Sequence, residues 1–120
     1  MARSKGHRDL VVWQRAVDAA ARCYVLAATF PPQEKYALAD QIRRASVSIA
    51  SNIAEGHGLH TPRAFIKHLR IARGSLAEVD TQIEIATRVG YATSSRVRPL
   101  IEELEEISRM LAGLIRSLDK

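Results

Sequence analysis

The sequence predicts an all-α protein, an antiparallel up-down-up-down four-helix bundle that assembles into an oligomer. Three observations carry that expectation. Four stretches repeat apolar residues at alternating spacings of three and four, none shows the period of two that a half-buried strand requires, and proline or glycine marks the short links between them. With 120 residues, 47% hydrophobic and 26% charged, the chain suits one domain with its own core.

Residues 1–9 carry Arg3, Lys5, His7 and Arg8 with no apolar residue after Ala2, and read as a flexible basic arm ahead of a bundle over 10–120. The first helix, about 10–29, has the seam Leu10, Trp13, Val17, Ala20, Tyr24 and Ala27. Phe30-Pro31-Pro32 ends it, because proline lacks a donor and disfavours helix in the residue before it. The second, about 33–56, opens with Pro32 and with Glu34 against the positive end of the helix dipole, and Gly56 caps it, with Gly58 as the alternative. Thr61-Pro62 starts the third, about 62–89, whose seam Phe65, Leu69, Ala72, Leu76, Val79, Ile83 and Ala86 runs to a Gly90 cap. The fourth, about 95–118, carries Val97, Leu100, Leu104, Ile107, Leu111, Leu114 and Leu118, with Pro99 in its first turn or marking it.

The second helix has almost no charged face. Leu38, Ile42, Ala45, Ile49 and Ile53 fall on one line, and Ala39, Val47, Ala50 and Ala54 widen the apolar arc to roughly 200°. A bundle uses about three-sevenths of each helix. The surplus predicts self-association, with Val47, Ala50 and Ala54 as contact residues because small side chains admit close approach.

A formal charge of +5 and a pI near 9.9 favour an anionic partner, either nucleic acid or an anionic membrane surface. No signal-peptide pattern and no apolar run approaching the roughly 20 residues of a membrane span are present, so a cytoplasmic protein is expected. Cys23, without a partner for an intrachain disulfide, reads as a packing residue. Charge order separates the last two helices. In the fourth, Glu102, Glu103, Glu105 and Glu106 precede Arg109, Arg116 and Lys120, as the dipole favours. In the third, Arg63, Lys67, Arg70 and Arg73 come first and Glu78, Asp80 and Glu84 follow, an order that helix stability does not explain. Arg63, Lys67 and Arg70 share the face opposite the seam and are the candidate phosphate contacts, with Arg3, Lys5 and Arg8 as auxiliaries; a solvated face is the alternative.

Catalytic signals are sparse. Trp13, Tyr24 and Phe65 sit on apolar seams, which argues against base stacking on exposed rings. His57 and His60 lack the further ligands of a zinc site, so neither metal nor cofactor is expected. Arg63 and His68 reproduce the R-x4-H spacing that resembles the HEPN ribonucleases, a two-residue match that leaves an RNase as a minority reading.

Asp9-Leu10-Val11-Val12-Trp13-Gln14, Phe30-Pro31, Gln41-Ile42-Arg43-Arg44-Ala45, Ser48-Ile49, Ser51-Asn52-Ile53-Ala54-Glu55-Gly56 and Ile71-Ala72-Arg73-Gly74-Ser75-Leu76-Ala77-Glu78 together resemble the four-helix-bundle proteins encoded in intervening sequences of bacterial 23S ribosomal RNA genes. Leu59 stands where that family often has an arginine. The resemblance implies a homopentamer, similar to the accessory protein of diversity-generating retroelements, a basic barrel that binds nucleic acid and a reverse transcriptase. It also marks Ser48, Asn52, Glu55, Arg73 and Ser75 as motif positions, expected to hydrogen-bond between the second and third helices, with Arg73 meeting Glu55. The expected function is therefore non-catalytic, oligomeric binding of nucleic acid, RNA in preference to DNA. The competing class is an adaptor that docks on a polymerase or another enzyme.

Overall fold

The computed structural model describes residues 6–119, and among them every regular element is helical. A 3-10 turn over Gly6–Asp9 leads into α1 (Val11–Ala27), and a second over Pro32–Glu34 precedes α2 (Leu38–Gly58). Then come α3 (Pro62–Arg88) and α4 (Ser94–Leu118). Each helix packs on two others: α2 on α1 and α3, and α4 on α3 and α1, around a body of 48 × 26 × 23 Å. The result is a four-helix bundle with one continuous apolar core.

The seams of α3 and α4 enter the core over most of their length, Leu69, Ala72, Leu76, Val79, Ile83 and Ala86 in α3 and Val97, Leu100, Leu104, Ile107 and Leu111 in α4, but Phe65, Leu114 and Leu118 are only partly buried and Ile115 takes the last core position of α4. The first helix differs. Its buried line is Val12, Ala16, Ala19, Cys23 and Leu26, whereas Val17 and Tyr24 of the expected seam are 41% and 47% exposed. Two apolar stripes with the same period run along α1. The buried one has small residues, Ala16, Ala19 and Cys23, along its middle, which admit close helix packing.

Helix ends also depart from expectation, each for a local reason. Pro32 opens only a 3-10 turn, and Ala37, at φ −120° and ψ −111°, breaks the chain before α2 starts. The Glu34 carboxylate supplies the missing cap, accepting from the Leu38 N–H at 3.1 Å and from the Tyr91 hydroxyl at 3.2 Å. Gly56 does not end α2. It lies buried inside the helix, and a Cβ there would stand 2.6 Å from the His68 Cβ and 3.2 Å from the Phe65 ring, so this glycine is what lets α2 and α3 touch. The turn is made by His60 in the left-handed region, φ 59°. Gly90, φ 87°, does cap α3: its N–H donates to Thr87 O while Tyr91 N–H donates to Ala86 O. Thr61 and Thr93 cap α3 and α4 by accepting from Ala64 N–H and Arg96 N–H. Because α4 begins at Ser94, Arg96 and Arg98 precede its glutamates, and Pro99 lies inside the helix, so the dipole-ordered charge pattern expected for α4 does not hold in its first turns.

One of those glutamates, Glu103, joins α4 to α1 instead. Arg15 of α1 donates through Nε and Nη2 to the two Glu103 oxygens at 2.8 and 2.7 Å, and this bidentate hydrogen bond holds the Glu103 carboxyl below the usual range. With its folded value depressed, Glu103 stabilises the bundle above the unfolded pKa of about 4.3 and loses that contribution as pH falls through the folded value. Burial pushes the Cys23 thiol up to about 11, as fits a packing residue.

Replacing Gly56 by alanine is expected to destabilise the fold by about 1–3 kcal/mol through overpacking, while Gly58→Ala, in open space, should be neutral or stabilising by up to about 1 kcal/mol. Urea denaturation of both variants distinguishes the two positions. Equal effects would remove the contact role of Gly56.

Candidate nucleic-acid interface

The rotation of α3 is set by what faces α2. Ser48 Oγ and Ser75 Oγ lie 2.8 Å apart across the two helices. One turn on, the Asn52 amide donates to Ser48 O at 2.9 Å and to Ser48 Oγ at 3.0 Å. A carbonyl only accepts, so the Asn52 NH2 must point there and its Oδ1 toward His68, 3.0 Å away, which places the His68 proton on Nδ1. Glu55 Oε2 stands 3.7 Å from the same nitrogen. Ser48, Asn52, Glu55 and Ser75 thus meet at the α2–α3 seam. Arg73 does not: it is exposed, lies on the α4 side of α3, and has no hydrogen bond or ion pair with Glu55. The partner that the sequence reading missed is His68, whose separation of seven residues from Ser75 puts both on one face of α3.

Arg63, Lys67 and Arg70 are exposed on the opposite face. They line one open cleft of about 780 Å³ between the start of α3 and the end of α4, with Ile66 and Leu118 forming apolar surface and Asp119 contributing a carboxylate. None of the three cations pairs with a carboxylate among the described residues. The positive end of the α3 dipole lies at the same end. The arrangement offers a concentrated positive field over an apolar floor, with Asp119 as the carboxylate that lines it.

The R-x4-H pair is split by this geometry. Five residues at about 100° each turn Arg63 and His68 about 140° apart, so the arginine lines the cleft while the imidazole is held in the α2–α3 seam. The rings of His57 and His60 are 6.3 Å apart, and no group of three metal-ligating side chains occurs among the described residues. Arg3 and Lys5 lie outside the described residues. Arg8 is in the 3-10 turn, its guanidinium 5.3 Å from the Trp13 ring centre and its carbonyl accepting from Gln14. Tyr36 is 85% exposed beside Lys35, and Tyr24, expected on the buried seam of α1, is 47% exposed.

Val47, Ala50 and Ala54 line a shallow groove of about 330 Å³ with Trp13, Val17 and Ala20 of α1. Val47 is 43% exposed, whereas Ala50, at 9%, is already part of the α1–α2 contact. The outer stripe of α1 and the surplus apolar arc of α2 therefore form one face.

Fold and surface together define the class, a basic all-α four-helix bundle with a polar α2–α3 seam and an unpaired cationic face; no helix among the described residues is long and apolar enough to cross a membrane. The sequence profile of the 23S rRNA-intervening sequence protein family matches residues 8–113, and the chain belongs to that family. A similar solved structure is described as a protein with unknown function from the S23 ribosomal protein family of Bacteroides thetaiotaomicron VPI-5482, determined at 1.70 Å resolution. The two share 26% identity and superpose with a TM-score of 0.81 over 88% of this chain and 98% of that one. A search of curated proteins gave no match.

Truncating Asn52 to alanine removes the hydrogen-bond acceptor of the His68 Nδ1–H and the donors to Ser48 O and Oγ, leaving Ser48 Oγ with Ser75 alone, and should cost about 1–3 kcal/mol. The same denaturation assay measures it. A loss below a few tenths would show that the seam contributes no net stability.

Proposed function

We propose that this protein is a non-catalytic, oligomeric nucleic-acid-binding protein that takes RNA in preference to DNA through Arg63, Lys67 and Arg70. The observation that carries the reading is the convergence of these three cations, each without a carboxylate partner among the described residues, on one open cleft. RNA is favoured over DNA by the family's name, which ties it to intervening sequences of 23S rRNA. The helices run antiparallel in up-down-up-down order, which the pairing of Ser48 with Ser75 and of Arg15 with Glu103 supports. Self-association uses the apolar α1–α2 face around Val47 and Ala54, and the pentamer implied by the resemblance repeats each cationic cleft five times, so that weak single contacts add as avidity. The adaptor reading, with a reverse transcriptase or other polymerase as partner, draws on the same apolar face.

Converting Arg63, Lys67 and Arg70 together to Glu should weaken RNA binding at least tenfold at low salt, uniformly across sequences, without changing the oligomeric mass. Val47→Arg should instead reduce the mass measured by light scattering and keep the helical circular dichroism. Filter binding of the wild type should fall steeply with salt, with a log-log slope of roughly 0.7 per phosphate contact on single strands. Absence of retention of either RNA or DNA at low salt would leave the cations as a solvated face and favour the adaptor.

A further inference from the structure

Two depressions follow one another along the α3–α4 boundary. The first is the cleft of Arg63, Lys67 and Arg70. The second, about 450 Å³, begins a turn further along α3 and is lined by Arg73, Gly74, Ala77 and Leu104, with the carboxylates of Asp80 and Glu105. Arg73, like the other three cations, has no ion pair among the described residues.

Gly74 has no explanation within the chain. It is exposed near the middle of α3, and a Cβ built there would meet nothing within 4 Å. Glycine is the least favourable residue in a helix interior apart from proline, so bare backbone at this point weakens α3 without relieving any contact. Gly56 is the contrast, since its missing side chain is filled by α3. Bare backbone beside four unpaired cations admits close approach by an external ligand, and the row of positive groups fixes the sign of that ligand's charge.

We infer that the α3–α4 groove is a track for a single strand of nucleic acid, with phosphates on Arg63, Lys67, Arg70 and Arg73 and the sugar-phosphate chain passing against Gly74. This rests on the nucleic-acid reading above and extends its site. The carboxylates of Asp80 and Glu105 limit the track by repulsion. Arg63 to Arg73 spans about 15 Å of helix, room for about four phosphates at the roughly 3.4 Å spacing of a stacked strand. A groove between helices with axes about 8–10 Å apart accepts a flexible strand. A duplex, stiff over about 150 base pairs, holds its phosphates on a convex surface and meets only the rim. Aliphatic rather than aromatic flooring, from Ile66, Leu118 and Leu104, makes the contact tolerant of sequence.

The test is fluorescence anisotropy of the full chain with a labelled oligouridine and with an RNA duplex of equal charge, over a salt series, for the wild type, Gly74→Leu and Arg73→Gln. The wild type should hold oligouridine at least tenfold more tightly than the duplex. Gly74→Leu, which changes no charge and improves helix propensity, should weaken single-strand binding at least fivefold without lowering the melting temperature. Arg73→Gln should reduce the salt slope by roughly 0.7. Equal affinity for the duplex overturns the track. So does an unaffected Gly74→Leu variant alongside loss of binding in the triple Glu variant, which would leave the cationic face standing. Displacement of oligouridine by polyglutamate at equal charge would reassign the groove to an acidic protein. Absence of binding to either RNA removes the underlying reading as well.

Discussion

The direct contact of α2 with α3 at Gly56 is the constraint on which the other features depend. With no side chain at that position, the Phe65 ring and the His68 Cβ lie against the α2 backbone, and the helices are close enough for Ser48 to reach Ser75 and Asn52 to reach His68. A helix is angularly rigid, so fixing His68 and Ser75 toward α2 fixes every other residue of α3. Leu69, Leu76 and Ile83 then enter the core and Arg63, Lys67 and Arg70 face outward. The cationic face is thus a geometric consequence of the seam.

Several cations elsewhere are matched. Arg15 is bound by Glu103 between α1 and α4, Arg44 by Asp40 within α2, Arg88 by Glu84 at the end of α3, and Arg109 by Glu106 within α4. The first half of α3 gathers Arg63, Lys67 and Arg70 on one cleft without an ion-paired acid among the described residues, with Arg63 in the first turn against the dipole, and carries a glycine where alanine would serve the helix better. Local departures from what favours the helix are expected at positions that serve something other than stability.

Much of the fold is legible in the sequence, because α3 and α4 each contain a single apolar stripe of large residues with distinct caps. The first helix was misread for a physical reason: Trp13, Val17 and Tyr24 are larger and draw the seam to themselves, yet the smaller Ala16, Ala19 and Cys23 are the residues buried inside. Gly56 resembled a C-cap because its position near the end of a periodic stretch is where caps occur, and only the opposing helix reveals its role. The charge reversal on α3 was visible as residue order. Its convergence with the end of α4 was not, since Leu118 and Asp119 reach the cleft through tertiary packing. Arg73 and His68 exchanged roles for the same reason, the seam being chosen by which residues lie opposite Asn52 and Ser48.

Native-state amide hydrogen exchange tests the primacy of the α2–α3 pair most directly. If that contact organises the bundle, amides from Ala45 to Ile53 and from Leu69 to Val79 should exchange only through global unfolding, with free energies equal to the denaturant-derived stability. The first turns of α4, interrupted by Pro99, should open earlier. Exchange of the α2–α3 amides through local openings cheaper than those of α1 and α4 would contradict the account.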